Sequence, residues 1–96
     1  MLKVKALVIN PKDNVATAID DIKANSKVLV KIGEKTVEVL VKQDIPFGHK
    51  FALKKIGKGE EVVKYGECIG VAKNNIEEGE HIHIHNVEST RVKGGE

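Results

Sequence analysis

Apolar and polar residues alternate at the start of the chain, where Leu2, Val4, Ala6 and Val8 stand against Lys3 and Lys5. A period of two puts one face in a core and the other in water, which predicts a half-buried strand over residues 2–9. Asn10-Pro11-Lys12-Asp13-Asn14 interrupts it. Val15, Ile19 and Ile22 follow at helical spacing, with Ala16 and Ala18 between them. Asp13 or Asn14 offers a short side-chain oxygen to first-turn amides, so the pattern predicts a helix of roughly two to three turns over 14–23. β-Branched runs at 27–32 and 36–41 flank Gly33-Glu34-Lys35, a hairpin signal. Pro46-Phe47-Gly48 marks a further turn before an extended stretch. The expected fold is mostly β, a single domain over 1–96 with one short helix and a frayed tail at about 91–96.

An internal repeat refines this reading. Ala52-x3-Ile56-x2-Gly59-Glu60-x-Val62 recurs 20 residues later as Ala72-x3-Ile76-x2-Gly79-Glu80-x-Ile82. A weaker copy is Ala18-x3-Ile22-x2-Asn25-x2-Val28. Each ends its turn on Gly or Asn, the residues that most readily take positive φ. The repeat therefore predicts one tight turn used three times, each sending an isoleucine into the core and launching a strand. A period of this length is short for a solenoid, so pseudo-symmetric folding of one small domain is the expectation.

Composition narrows the function classes. Of 96 residues, 16 are basic and 14 acidic, giving a net charge of +2, and the signs are mixed along the chain. Such a surface lacks the polybasic footprint of nucleic-acid binding, and with no Trp there is little to stack on bases. No stretch approaches the roughly 18 apolar residues of a membrane span, so a cytoplasmic location is expected. Cys68 is the only cysteine, which rules out an intrachain disulfide. With no basic neighbour to lower its pKa, it suits a small core filler better than a nucleophile.

Candidate chemistry concentrates in Gly79-Glu80-His81-Ile82-His83-Ile84-His85-Asn86. Because Ile82 corresponds to Val62 and Val28 in the repeat, it should face the core with Ile84, leaving His81, His83 and His85 on the opposite face. On an extended strand neighbouring histidines of this set lie roughly 6.5–7 Å apart and the outer two roughly 13 Å. A pair can then share one metal ion, whereas three would require marked bending. Metal ligation and a solvated, hydrogen-bonding face both remain open on spacing alone. Gly48-His49-Lys50 sets a glycine, a titratable ring and a fixed cation side by side; Lys64-Tyr65-Gly66 adds a second cation and a phenol. Each also has a plain reading as a turn with polar neighbours.

Taken together, Asp13-Asn14-Val15-Ala16-Thr17-Ala18-Ile19 and the block from Gly48 to Asn86 resemble the N-terminal domain of the altronate and galactarate dehydratases. The resemblance runs from about Ile9 to Asn86 and implies a small SAF-type domain with a β-clip fold. It departs from the family pattern at Cys68, often proline there, and at Asn25, usually glycine. It implies a hydro-lyase that removes water from a sugar acid with a divalent metal such as iron(II). Carried over by position, His49 and Lys50 are expected to be catalytic, Lys64, Tyr65 and Asn86 to contact substrate, and His81, His83 and His85 to hold metal. The chain ends soon after the motif, so the resemblance implies a small subunit, inactive alone, that completes its site with a large dehydratase subunit. Self-association of the isolated chain is a further expectation. A small subunit of (2R)-sulfolactate sulfo-lyase and a non-catalytic assembly module are the alternative readings.

Overall fold

The computed structural model describes residues 3–83 and 85–88. Ile84 and the predicted frayed tail at 91–96 lie outside them. Nine strands are described: β1 (Val4–Val8), β2 (Val15–Ala18), β3 (Ser26–Ile32), β4 (Lys35–Val41), β5 (Lys50–Ala52), β6 (Glu61–Lys64), β7 (Glu67–Ala72), β8 (His81–Ile82) and β9 (Val87–Glu88). Six of them form a sheet in the order β4-β3-β1-β2-β5-β8, and β6-β7-β9 form a second sheet. Only β1 and β3 pair in parallel; every other described pairing is antiparallel. The mostly β expectation holds.

The helix expected at 14–23 is not there. Val15–Ala18 is a strand paired with β1 on one side and β5 on the other. Both of its faces are covered: Val15 joins one apolar cluster while Ala16 and Ala18 join the other. A strand buried on both faces loses the period-two signature, and its alanines then mimic a helical run. The expected capping residues do accept backbone amides, but from across the fold. Asp13 Oδ1 accepts from the Gly66 amide at 2.7 Å. Asn14 accepts from the Val63 amide and donates to the Glu61 carbonyl, tying β2 to β6.

The repeated turn is present, and it occurs four times among the described residues. Besides Ile22, Ile56 and Ile76, the structure adds Ile45, in the series Val41-x3-Ile45-x2-Gly48-x2-Phe51. The copies work in pairs. Ile22 and Ile45 exchange both backbone hydrogen bonds at 2.8–2.9 Å, and Ile56 and Ile76 do the same at 2.8 Å. The residue of positive φ in each copy donates to the carbonyl that opens its partner: Asn25 to Val41, Gly48 to Ala18, Gly59 to Ala72 and Gly79 to Ala52. Two reciprocal clips result, each with a local two-fold. All four isoleucines are buried, each contributing about 1.5–3 kcal/mol by leaving water. The strand residues that follow, Val28, Phe51, Val62 and Ile82, are buried as well. The clips thus deliver β5 and β8 side by side, with Phe51 opposite His81 and Lys50 opposite Ile82.

Candidate functional site

Pairing of β5 with β8 brings together what the sequence keeps 32 residues apart. His49 Nδ1 and His81 Nε2 lie 2.9 Å from one another, a hydrogen bond between two imidazoles. The ring centroids of His49 and His81 are 5.1 Å apart, those of His49 and His83 5.4 Å, and those of His81 and His83 5.7 Å. His85 joins the group, its ring 5.7 Å from that of His81. All four histidines of the chain therefore form one cluster.

The extended arrangement expected through His85 stops at Ile82. There β8 ends, the chain bends at His83, and a turn at His85-Asn86 folds back toward His81. Asn86 holds the loop. Its side chain accepts from the His83 amide at 3.0 Å and donates to the His81 carbonyl at 2.8 Å, and the residue is only 3% exposed. Backbone bonds from the Asn86 and Val87 amides to the His83 carbonyl close the same turn. Gln43 fixes the other side, its Oε1 accepting from the His81 amide at 2.8 Å. Neither Gln43 nor the bracing by Asn86 was legible beforehand, since both bonds depend on how the loop folds back.

Electrostatics extends the cluster to the lysines. His81 is half-buried and its pKa is lowered, first by desolvation, then by His49, His85, His83 and Lys50. Lys50 alternates with buried Phe51 and is half-buried itself; its pKa is lowered by burial and then by Lys64. Glu67 stands opposite Lys64 in the β6–β7 register. Lys64 Nζ sits 4.8 Å from the Tyr65 ring centroid, a cation–π contact. Tyr65 is 57% exposed yet holds φ +58°, uncommon for a large side chain. Its turn is braced from below by the Gly66–Asp13 bond. Of the residues expected at the site, the four histidines meet directly, and Lys50, Lys64 and Tyr65 are linked to them through charge and ring contacts. Asn86 is buried beneath the loop.

The donor set suits a divalent ion of borderline softness, because imidazole binds such metals readily. The 2.9 Å separation of the two ring nitrogens is near what adjacent ligands at about 2.1 Å would show. The rings stack instead of radiating from a point, and no three His, Cys, Asp or Glu side chains among the described residues converge as ligands. Holding an ion would require the imidazoles to rotate.

The family described as the altronate/galactarate dehydratase SAF domain matches residues 4–90. The chain belongs to that family. The two-sheet β architecture is consistent with the β-clip of this SAF domain. Altronate dehydratase of Escherichia coli (strain K12) is 42% identical over 81 residues, 84% of this chain and 16% of the relative. Altronate dehydratase of Bacillus subtilis (strain 168) is 41% identical over 81 residues, with the same coverage of 84% and 16%. The SAF chain thus spans about one sixth of the length of these dehydratases. The (2R)-sulfolactate sulfo-lyase subunit alpha of Paracoccus pantotrophus is 48% identical over 50 residues, 52% of this chain and 75% of that subunit. These relatives are named as a dehydratase and a lyase, and the subunit name denotes a multi-subunit assembly for that protein. Among the described residues no helix is long and apolar enough to cross a membrane.

Proposed function

We propose that this SAF domain supplies the acid-recognising half of a dehydratase site that acts on a sugar acid of the altronate or galactarate type. A larger dehydratase subunit or domain supplies the rest. The observation that supports this reading is the meeting of His49, His81, His83 and His85 beside the Lys50–Lys64 pair. Dehydration removes a proton next to a carboxylate and expels a hydroxyl from the neighbouring carbon. Lys50 and Lys64 hold the carboxylate and the charge that gathers on it, with the Tyr65 hydroxyl as a further donor. His49 takes the proton, and its hydrogen bond to His81 keeps the ring oriented. His83 and His85, together with the ring nitrogen of His81 that His49 leaves free, are the groups that would hold a divalent ion such as iron(II) once the rings rotate, and the ion when bound would supply Lewis acidity toward substrate oxygens. Asn86 acts from beneath the histidine cluster, by fixing the loop that carries these rings. Phe47, 69% exposed two residues before His49, is the apolar anchor for the larger partner.

The test is a chimera. Residues 4–90 replace the matching segment of the Escherichia coli altronate dehydratase, and turnover of D-altronate is followed. An active chimera is expected to lose about 10²–10⁴ in kcat on His49→Ala. It should lose affinity for the acid on Lys64→Ala. Full turnover in both variants would point to an assembly module.

A second reading is favoured by coverage: the chain matches 75% of a sulfolactate sulfo-lyase alpha subunit but 16% of an altronate dehydratase. In that case the same lysines hold a carboxylate and sulfite is the leaving group. Sulfite release from (2R)-sulfolactate by the chain with a sulfo-lyase partner subunit distinguishes the two.

A further inference from the structure

The four clip turns differ at the residue that follows the positive-φ position, a glutamate in two of them, serine in the third and histidine in the fourth, and only the histidine copy has proline three residues earlier. In each turn the residue after the positive-φ position is Ser26, His49, Glu60 or Glu80. Glu60 and Glu80 do the same work in their copies. The Glu60 amide donates to the Gly57 carbonyl at 2.9 Å while its carboxylate accepts the Gly57 amide at 2.6 Å. The Glu80 amide donates to the Glu77 carbonyl at 3.1 Å and its carboxylate accepts the Glu77 amide at 2.9 Å. Each glutamate thus closes its turn twice, once through backbone and once through side chain. In the His49 copy the backbone half persists, from the His49 amide to the Pro46 carbonyl at 2.9 Å. The side-chain half has no donor, because residue 46 is proline and carries no N–H. A carboxylate at this position would have nothing to cap, and the imidazole turns to His81 instead.

We infer that Pro46 and His49 are a matched exchange: Pro46 removes the amide that a carboxylate three residues on would cap, and position 49 is given over to the histidine cluster. His49 is thereby a residue without a capping duty in its own turn, and Pro46 is a positioning residue for it. The inference rests on the proposed site and refines it, marking His49 as the clip position released for chemistry. It predicts that the turn at 46–49 tolerates truncation of residue 49 better than the two glutamate turns tolerate truncation of Glu60 or Glu80.

A stability cycle on the full chain tests this without any assay of dehydration, so its outcome is independent of the chimera's. Folding constants are measured by urea denaturation for His49→Glu, Pro46→Ala and the double variant. The His49→Glu change should raise the folding constant about tenfold more when combined with Pro46→Ala than when Pro46 is kept, the worth of one charge-assisted hydrogen bond. His49→Ala should lower it by no more than about fivefold, the worth of its one neutral bond to His81, whereas Glu60→Ala and Glu80→Ala, each losing a charge-assisted bond, should each lower it about tenfold or more. His49→Ala should also shift the imidazole 15N resonances of His81 while the backbone spectrum stays folded. Equal effects of His49→Glu with and without Pro46→Ala, or a His49→Ala loss as large as the Glu60→Ala loss, would overturn the inference. So would His81 ring resonances unmoved in a folded His49→Ala chain.

Discussion

Asn86→Ala is the most direct probe of how the histidine loop is held. The side chain is nearly inaccessible and makes two bonds, from the His83 amide at 3.0 Å and to the His81 carbonyl at 2.8 Å. Truncation deletes both and leaves an amide and a carbonyl in a site where Asn86 had kept water out. Each lost bond costs about 1 kcal/mol net, and more where the abandoned partner stays dry, so the sum is about 2–4 kcal/mol. At about 0.05–0.15 kcal/mol per residue, a chain of 96 residues holds about 5–14 kcal/mol, so the variant should still fold. About 4–8 °C per kcal/mol then gives a fall in Tm of about 10–30 °C by calorimetry or circular dichroism. The imidazole proton resonances of His81 and His85 should move toward those of isolated, exposed rings as the loop opens. A Tm within about 3 °C of wild type, with those resonances unmoved, would refute the reasoning and mean that backbone bonds alone shape the loop.

Three further outcomes follow from the same geometry. Gly79→Ala should be far more damaging than Gly59→Ala, although both need a positive φ near +85°: a Cβ at 79 would run into the Leu40 carbonyl, whereas that at 59 meets open space. Paired urea melts measure this, and equal losses would show that φ alone governs. For His81 the folded pKa lies below the ordinary 6.5, so between the two values the unfolded chain binds more protons. Stability should therefore be at its full value above about pH 6.5 and decline as pH falls from there through the folded pKa; His81→Gln should remove part of that decline in pH-dependent melts. Phe47→Ser should leave Tm nearly unchanged, since the ring is exposed, while weakening association with a dehydratase partner in sedimentation or calorimetric titration.

Much of the scaffold was readable from residue order alone. The Ile-x2-Gly/Asn turn needs an apolar residue to bury and a residue tolerant of positive φ three positions later, so it leaves a local signature. That signature placed Ile22, Ile56, Ile76 and the inward side of Ile82 correctly. It missed Ile45 because Val41 stands where the other copies begin with alanine, and Pro46-Phe47 hides the turn's kinship. Helical spacing, in contrast, misled at Val15–Ala18, where alanines between two neighbouring strands carry no alternation to read.

The kinds of side chain available for chemistry, the clip positions that anchor the core and the mostly β character were all legible in residue order, because each depends on neighbours a few residues away. The meeting of His49 with His81, the return of His85 over His81 and the charge that Lys50 feels from Lys64 were not. Those encounters depend on strand register and on long-range bonds accepted by Asn14, Gln43 and Asp13, from amides 38 to 53 residues away. Local periodicity can say which way a side chain points; sheet pairing says what it finds there.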